Sequence, residues 1–142
     1  MHADQINTPR WIQDDTNKTV WQWPYSAFGD NKPSGILKAT VNPNNAYTQD
    51  PTTNARLQAT NPNITYNLRY PGQYFDVESN LNYNYFRTYD ARMGRYSQSD
   101  PIGLDGGWNR FGYVRGNPLS RIDPLGLDDF SVIYNGGAGT LW

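Results

Sequence analysis

The chain has 142 residues, 37% of them hydrophobic and 18% charged, with a formal net charge of −1, no cysteine and one histidine; that is room for one domain at most. With no cysteine and only His2, a structural zinc site, a disulfide framework and a Cys/His hydrolase are excluded, because each needs ligands or nucleophiles that are absent. The near-neutral charge lacks the footprint of a protein that neutralises many phosphates, so nucleic acid is not an expected partner.

No apolar run approaches the roughly 20 residues that span a bilayer, and Met1-His2-Ala3-Asp4-Gln5 shows no basic segment followed by an apolar stretch, so no signal peptide is readable. Aromatics make up 15% of the chain, with 11 Tyr and 5 Trp, beside 13 Gly and 10 Pro. Large rings with polar tips suit half-buried sheet faces, and the glycines and prolines interrupt helices. The expected fold is all-β, built from antiparallel hairpins.

In chain order, Trp11 to Trp23 reads as two short strands around the polar loop Asp14-Asp15-Thr16-Asn17-Lys18, closed by Tyr25 to Asp30. Residues 31–63 hold the turn clusters Asn42-Pro43-Asn44-Asn45 and Asp50-Pro51-Thr52-Thr53-Asn54 and read as a long loop-rich insertion. Ile64 to Tyr70 alternates with period two, which predicts a strand burying Ile64, Tyr66, Leu68 and Tyr70, ended by Pro71-Gly72. Leu81, Tyr83 and Tyr85 alternate again and are expected on a neighbouring antiparallel strand, sharing that buried face. Phe86 breaks the phase, as at a bulge or at the crossing into a new strand. Tyr89 to Tyr96 reads as a strand end, a tight turn and a new strand. Residues 128–142 read as a short tail, and its Asn135 to Thr140 stretch lacks the lysine and helix of a phosphate loop.

Two near-identical pentapeptides stand out, Asp100-Pro101-Ile102-Gly103-Leu104 and Asp123-Pro124-Leu125-Gly126-Leu127, their aspartates 23 positions apart, with Asn117-Pro118 between them. With Asn7-Thr8-Pro9-Arg10, Tyr25 to Gly29, Arg69 to Asp76, Asn84 to Asp90 and Gly94-Arg95-Tyr96, this series resembles the Rhs repeat-associated core domain. That segment ends the YD-repeat shell of bacterial Rhs toxins and of the C components of insecticidal Tc complexes. The resemblance covers residues 2 to 127; it departs in the Asn- and Thr-rich insertion and in the lack of a proper C-terminal domain. It implies a core segment over 1–127 that closes a hollow β-shell, with 128–142 as the start of a toxin region. It further implies self-cleavage at Leu127-Asp128 with Asp100 and Asp123 as the catalytic pair, no cofactor or metal, and the remaining shell or a second copy as partner. A toxin, an immunity protein and a bacterial cytoplasmic origin before delivery by a secretion system belong to the same expectation.

The chemistry fits those residues. Two carboxylates held close share a proton, so one serves as base on a water and the other as acid toward the carbonyl or leaving amine. Pro101 and Pro124 fix φ after each aspartate, while Gly103 and Gly126, each followed by leucine (Leu104, Leu127), permit tight reversals. The two carboxylates are expected within reach of each other or of one water, with Leu127 nearby. Arg95 and Arg121 are candidates for orienting a carboxylate, although arginine in a Tyr-rich sheet more commonly stacks on rings. The plainer alternative is that each aspartate caps its own turn. The chain would then be a non-catalytic shell module or remnant, acting through its β surface, carbohydrate binding included.

Overall fold

The computed structural model describes residues 1–35, 37–40, 56–59 and 62–132. Eleven short strands form among them: β1 (His2–Ala3), β2 (Pro9–Gln13), β3 (Thr19–Gln22), β4 (Leu37–Thr40), β5 (Arg56–Ala59), β6 (Tyr74–Asp76), β7 (Leu81–Asn84), β8 (Arg87–Asp90), β9 (Arg95–Tyr96), β10 (Arg121–Ile122) and β11 (Phe130–Ser131). Two 3-10 turns, Gly103–Gly106 and Val114–Gly116, are the only helical elements among the described residues. The sheets run β1-β2-β3, β4-β5, β6-β7-β8-β9 and β10-β11, so the all-β expectation holds.

The chain divides into two units. In the first, β2 and β3 pair antiparallel with Trp11 opposite Gln22 and Ile12 opposite Trp21. Asp14 closes the loop between them, its Oδ1 accepting the N–H groups of Thr16 and Lys18 at 2.9 and 3.0 Å, a turn role that a short carboxylate performs well. Trp21 and Trp23 are buried, and the Trp23 indole N–H donates to the Asn31 carbonyl at 3.0 Å. Within the predicted loop-rich insertion, β4 and β5 pair from Leu37 opposite Ala59 to Thr40 opposite Arg56. Residues 41–55, with both turn clusters, and the glycine stretch of the tail at 135–140 lie outside the described residues.

The second unit carries the meander β6 to β9. Its turns follow the sequence: Tyr85-Phe86 forms the two-residue reversal between β7 and β8, with Tyr85 at φ 55°, and Gly94 at φ 64° ends the turn before β9. The strand predicted over 64–70 does not form. Only Leu68 finds a bridge partner, Tyr74, because the chain reverses at once through Tyr70-Pro71-Gly72-Gln73, where the Gln73 N–H donates to the Tyr70 carbonyl at 2.8 Å. Ile64 and Leu68 are exposed, whereas Arg69 and Tyr70 are buried.

On β7 the predicted face is inverted. Asn82 and Asn84 are buried while Tyr83 and Tyr85 are more than half exposed. The reason is what lies beneath. The Asn84 amide donates to the Tyr96 hydroxyl at 2.6 Å and to the Asp123 carbonyl at 3.1 Å, and the Asn82 amide donates to Gln73 Oε1 at 3.2 Å. Those buried polar groups need partners that an aromatic ring does not supply.

The core of this unit is a cluster of tyrosines. The Tyr113 ring lies 4.4 Å from Tyr89, 5.6 Å from Tyr96 and 5.9 Å from Tyr70 between centroids. Three hydroxyl tips are satisfied, by Ser26 O (Tyr70, 3.3 Å), Phe28 O (Tyr89, 2.8 Å) and the Asp123 carboxylate (Tyr96, 2.7 Å). Burial pushes the ionisation of Tyr89, Tyr96 and Tyr113 well above the ordinary phenol range, and the Asp123 charge adds to the effect at Tyr96. In the unfolded chain these phenols lose their protons near pH 10, so above that pH the folded state holds more protons than the unfolded one. Stability is therefore fully present below about pH 10 and falls as pH rises beyond it, by up to about 1.4 kcal/mol per pH unit for each such tyrosine. Denaturant titrations at pH 8 and pH 11 should show the midpoint dropping steeply, together with the appearance of phenolate absorbance. An unchanged midpoint would refute the buried tyrosine core.

Candidate active site

Each pentapeptide folds as a turn around its own aspartate. Asp100 Oδ1 accepts the Ile102 N–H at 3.0 Å, and Asp123 Oδ1 accepts the Leu127 N–H at 3.0 Å. The second turn sits close against the β7–β8 hairpin. A Cβ on Gly126, which has φ 70°, would lie 2.5 Å from the Asn84 carbonyl oxygen, so no other residue fits there.

Both turns deliver their remaining carboxylate oxygen to Arg87, the first residue of β8. Arg87 Nη1 lies 3.0 Å from Asp100 Oδ2, and Nη2 lies 3.3 Å from Asp123 Oδ2, all three side chains being 3% exposed. The other donors are used as well: Nε on the Gly126 carbonyl, Nη1 on the Arg110 carbonyl at 3.2 Å and Nη2 on the Leu127 carbonyl at 3.3 Å. A guanidinium has five N–H groups in a fixed fork; here four of them donate hydrogen bonds, and Asp100 meets the fork as an ion pair. Its plane rests on Tyr96, with Cζ 3.8 Å from the ring centroid. Tyr96 in turn donates its hydroxyl to Asp123 Oδ2 at 2.7 Å.

The expected pair is thus brought into one cluster, though in an unexpected manner. A cation stands between Asp100 and Asp123 where a shared proton was anticipated, and it relieves the repulsion that the shared proton would have relieved. Leu127 is part of the cluster through both its N–H and its carbonyl. Pro118 and Gly126 are buried, Pro124 is half-buried, and Pro101, Leu104 and Asp128 are exposed. Gly103 turns the first motif at φ 70°.

The two arginines singled out from the sequence do not touch either carboxylate. Arg95 is exposed on β9 and Arg121 pairs with Asp129. The phase of the meander decides this, since Arg87 takes the inward position and Arg95 the outward one. Arg87 lay within the Asn84 to Asp90 stretch, and the signal for it was a lone cation in a strand ending on buried aromatic and acidic positions.

Gly106 is a further residue the sequence did not mark. A Cβ there would lie 2.5 Å from Asp100 Oδ2 and 2.8 Å from the Leu127 carbonyl oxygen, so the missing side chain is what lets these two oxygens share one small space. Gly106→Ala should displace one of them and slow any reaction at that carbonyl by about 100-fold, checked by a time course of intact mass. A variant as active as the wild type would show that this close approach is irrelevant.

No family model matches the chain. It is 32% identical over 131 residues to double-stranded DNA deaminase toxin A of Burkholderia cenocepacia, covering 89% of this chain and 7% of that protein. It is 53% identical over 60 residues to the probable deoxyribonuclease RhsB of Dickeya dadantii, covering 42% of this chain and 4% of that one. The fold matches a solved structure, the Photorhabdus luminescens Tc holotoxin pore carrying an aspartate-to-alanine mutation in TccC3. The TM-score is 0.59 at 21% identity, over 96% of this chain and 5% of that one. The chain therefore spans under a tenth of the length of each of these proteins.

Proposed function

We propose that this chain, which is an Rhs/Tc toxin-associated core domain, closes a toxin shell and cuts itself once between Leu127 and Asp128. The observation that carries the reading is the Leu127 carbonyl oxygen on Arg87 Nη2 at 3.3 Å, inside the same buried cluster as both aspartates. Asp100, whose Oδ2 shares the space beside Gly106 with that carbonyl, takes a proton from a water as the water oxygen bonds to the Leu127 carbonyl carbon. The charge that builds on the carbonyl oxygen faces the Arg87 guanidinium. Asp123 holds the Leu127 N–H and fixes the peptide. Collapse breaks the C–N bond, the Asp128 nitrogen takes up the proton held by Asp100, and the new Leu127 carboxyl gives its remaining proton to the freed amine, leaving a carboxylate and an ammonium. Substrate and catalyst are one chain, so the fold itself sets the effective molarity and one turnover suffices.

In this reading the segment beyond Leu127 leads into a toxin of a bacterium that exports or delivers it, with an immunity protein as its antagonist. The remaining shell, or a second copy, covers the exposed Tyr74, Tyr83, Tyr85 and Phe86 of the meander. A second reading is favoured by the four hydrogen bonds and two ion pairs already made by Arg87: the cluster is then a staple that joins two turns to a hairpin, with no reaction. Intact mass of the purified full chain separates them. A species ending at Leu127 supports cleavage, and a chain that stays at full length on long incubation supports the staple.

A further inference from the structure

The residues just past the bond Leu127-Asp128 are held as well, by cations more exposed than Arg87, Arg115 at 64% and Arg121 at 26%. Asp129, with its side chain 5% exposed, receives two cations from separate elements: Arg115 Nε at 2.9 Å on Oδ1 and Arg121 Nη1 on Oδ2. Arg115 reaches it from a costly backbone. Val114 and Arg115 both have positive φ, at 42° and 54°, a region that disfavours residues other than glycine and is kept only where the surroundings hold it, as at functional sites. Beyond Asp129, Phe130 and Ser131 pair as β11 with Ile122 and Arg121, and the Val132 N–H donates to the Ser120 carbonyl at 3.0 Å.

We propose that Asp129, clamped by Arg115 and Arg121, is a positioning residue that anchors the far side of Leu127-Asp128 and, after scission, keeps the C-terminal piece on the core as strand β11. This rests on the cleavage reading above, but its structural half stands without it. With Arg87 and Asp123 holding Leu127 on one side and the clamp holding Asp129 two residues on, the Leu127-Asp128 peptide is fixed at both ends. The orientation of its carbonyl is then fixed before any water arrives. After scission the ion pairs and the β10–β11 bonds remain, so the cut alone does not release the piece.

The test uses the full chain with an affinity tag after Trp142. In the wild type, residues 1–127 should co-purify with the tagged piece after cutting. Asp129→Ala should cut about tenfold more slowly and lose most of the co-purified partner, and Asp129→Glu should restore part of both. In the uncut Asp100→Asn background, Asp129→Ala should speed amide exchange at Val132 by about tenfold. Unchanged protection of Val132 overturns the proposal whether or not the wild type cuts. Equal retention and rate in Asp129→Ala also overturns it, whereas a wild type that never cuts defeats the cleavage reading alone.

Discussion

Arg87→Ala lowers the stability of the chain by about 3–5 kcal/mol, the cost of leaving buried charges without their counter-ion. Two carboxylates with 3% exposure lose their shared cation, and the carbonyls of Gly126, Arg110 and Leu127 lose a donor in the same step. For a chain of this length the melting temperature should fall by about 10 °C or more. Arg87→Lys should recover only part of the loss, since a single ammonium with three donors cannot replace a planar fork with five. Arg95→Ala, at an exposed position of the same meander, should change stability by about 0.5 kcal/mol or less. Thermal unfolding followed by far- and near-ultraviolet circular dichroism measures all three variants. If Arg87→Ala melts with the wild type, the bridged cluster contributes nothing to the fold.

Asp100→Asn should leave the chain uncut, slowing formation of the species ending at Leu127 by about 10²–10⁴-fold, the range lost with a general base. Asp123→Asn, which keeps its bond to the Leu127 N–H, should slow it by about tenfold through the lost charge beside Arg87. The amide keeps the shape of the carboxylate and can still accept the N–H of Ile102 or Leu127 through its oxygen, so each turn is retained. What disappears is the negative charge and its capacity to take a proton. Mass spectrometry of the intact chain during incubation reads the rates, and circular dichroism verifies that both variants are folded. A variant that forms the Leu127 species at the wild-type rate removes its aspartate from the mechanism. Two such variants would return the cluster to a purely structural role.

Much of the local structure was legible in the sequence because it is set by local chemistry. Asp14 closing its own loop and the turn ending at Gly94 follow from short-range hydrogen bonding and permitted φ values, whereas the reversal at Tyr85-Phe86, signalled only by the break in phase at Phe86, puts Tyr85 at a disfavoured φ of 55°. The two Asp-Pro-x-Gly-Leu motifs likewise declare themselves as turns that each present a carboxylate. What the sequence left open is which side of a strand faces inward. Period-two alternation says that Asn82 and Asn84 share one face and that Leu81, Tyr83 and Tyr85 share the other; it does not say which is buried. Hydrophobicity favours the tyrosines, and the tertiary structure chose the asparagines, because Tyr96 and Asp123, brought in from other parts of the chain, need amide partners beneath β7.

Arg87 was hidden for the same reason. A buried guanidinium is tolerable only where carboxylates meet it, and its two lie 13 and 36 positions further along the chain. The sequence determined two acidic turns, and its resemblance to the Rhs core implied that they would come close to Leu127. Only the folded chain decided that a cation from β8 would hold them there, because that depends on the inward phase of the meander and not on any property of Arg87's own neighbours.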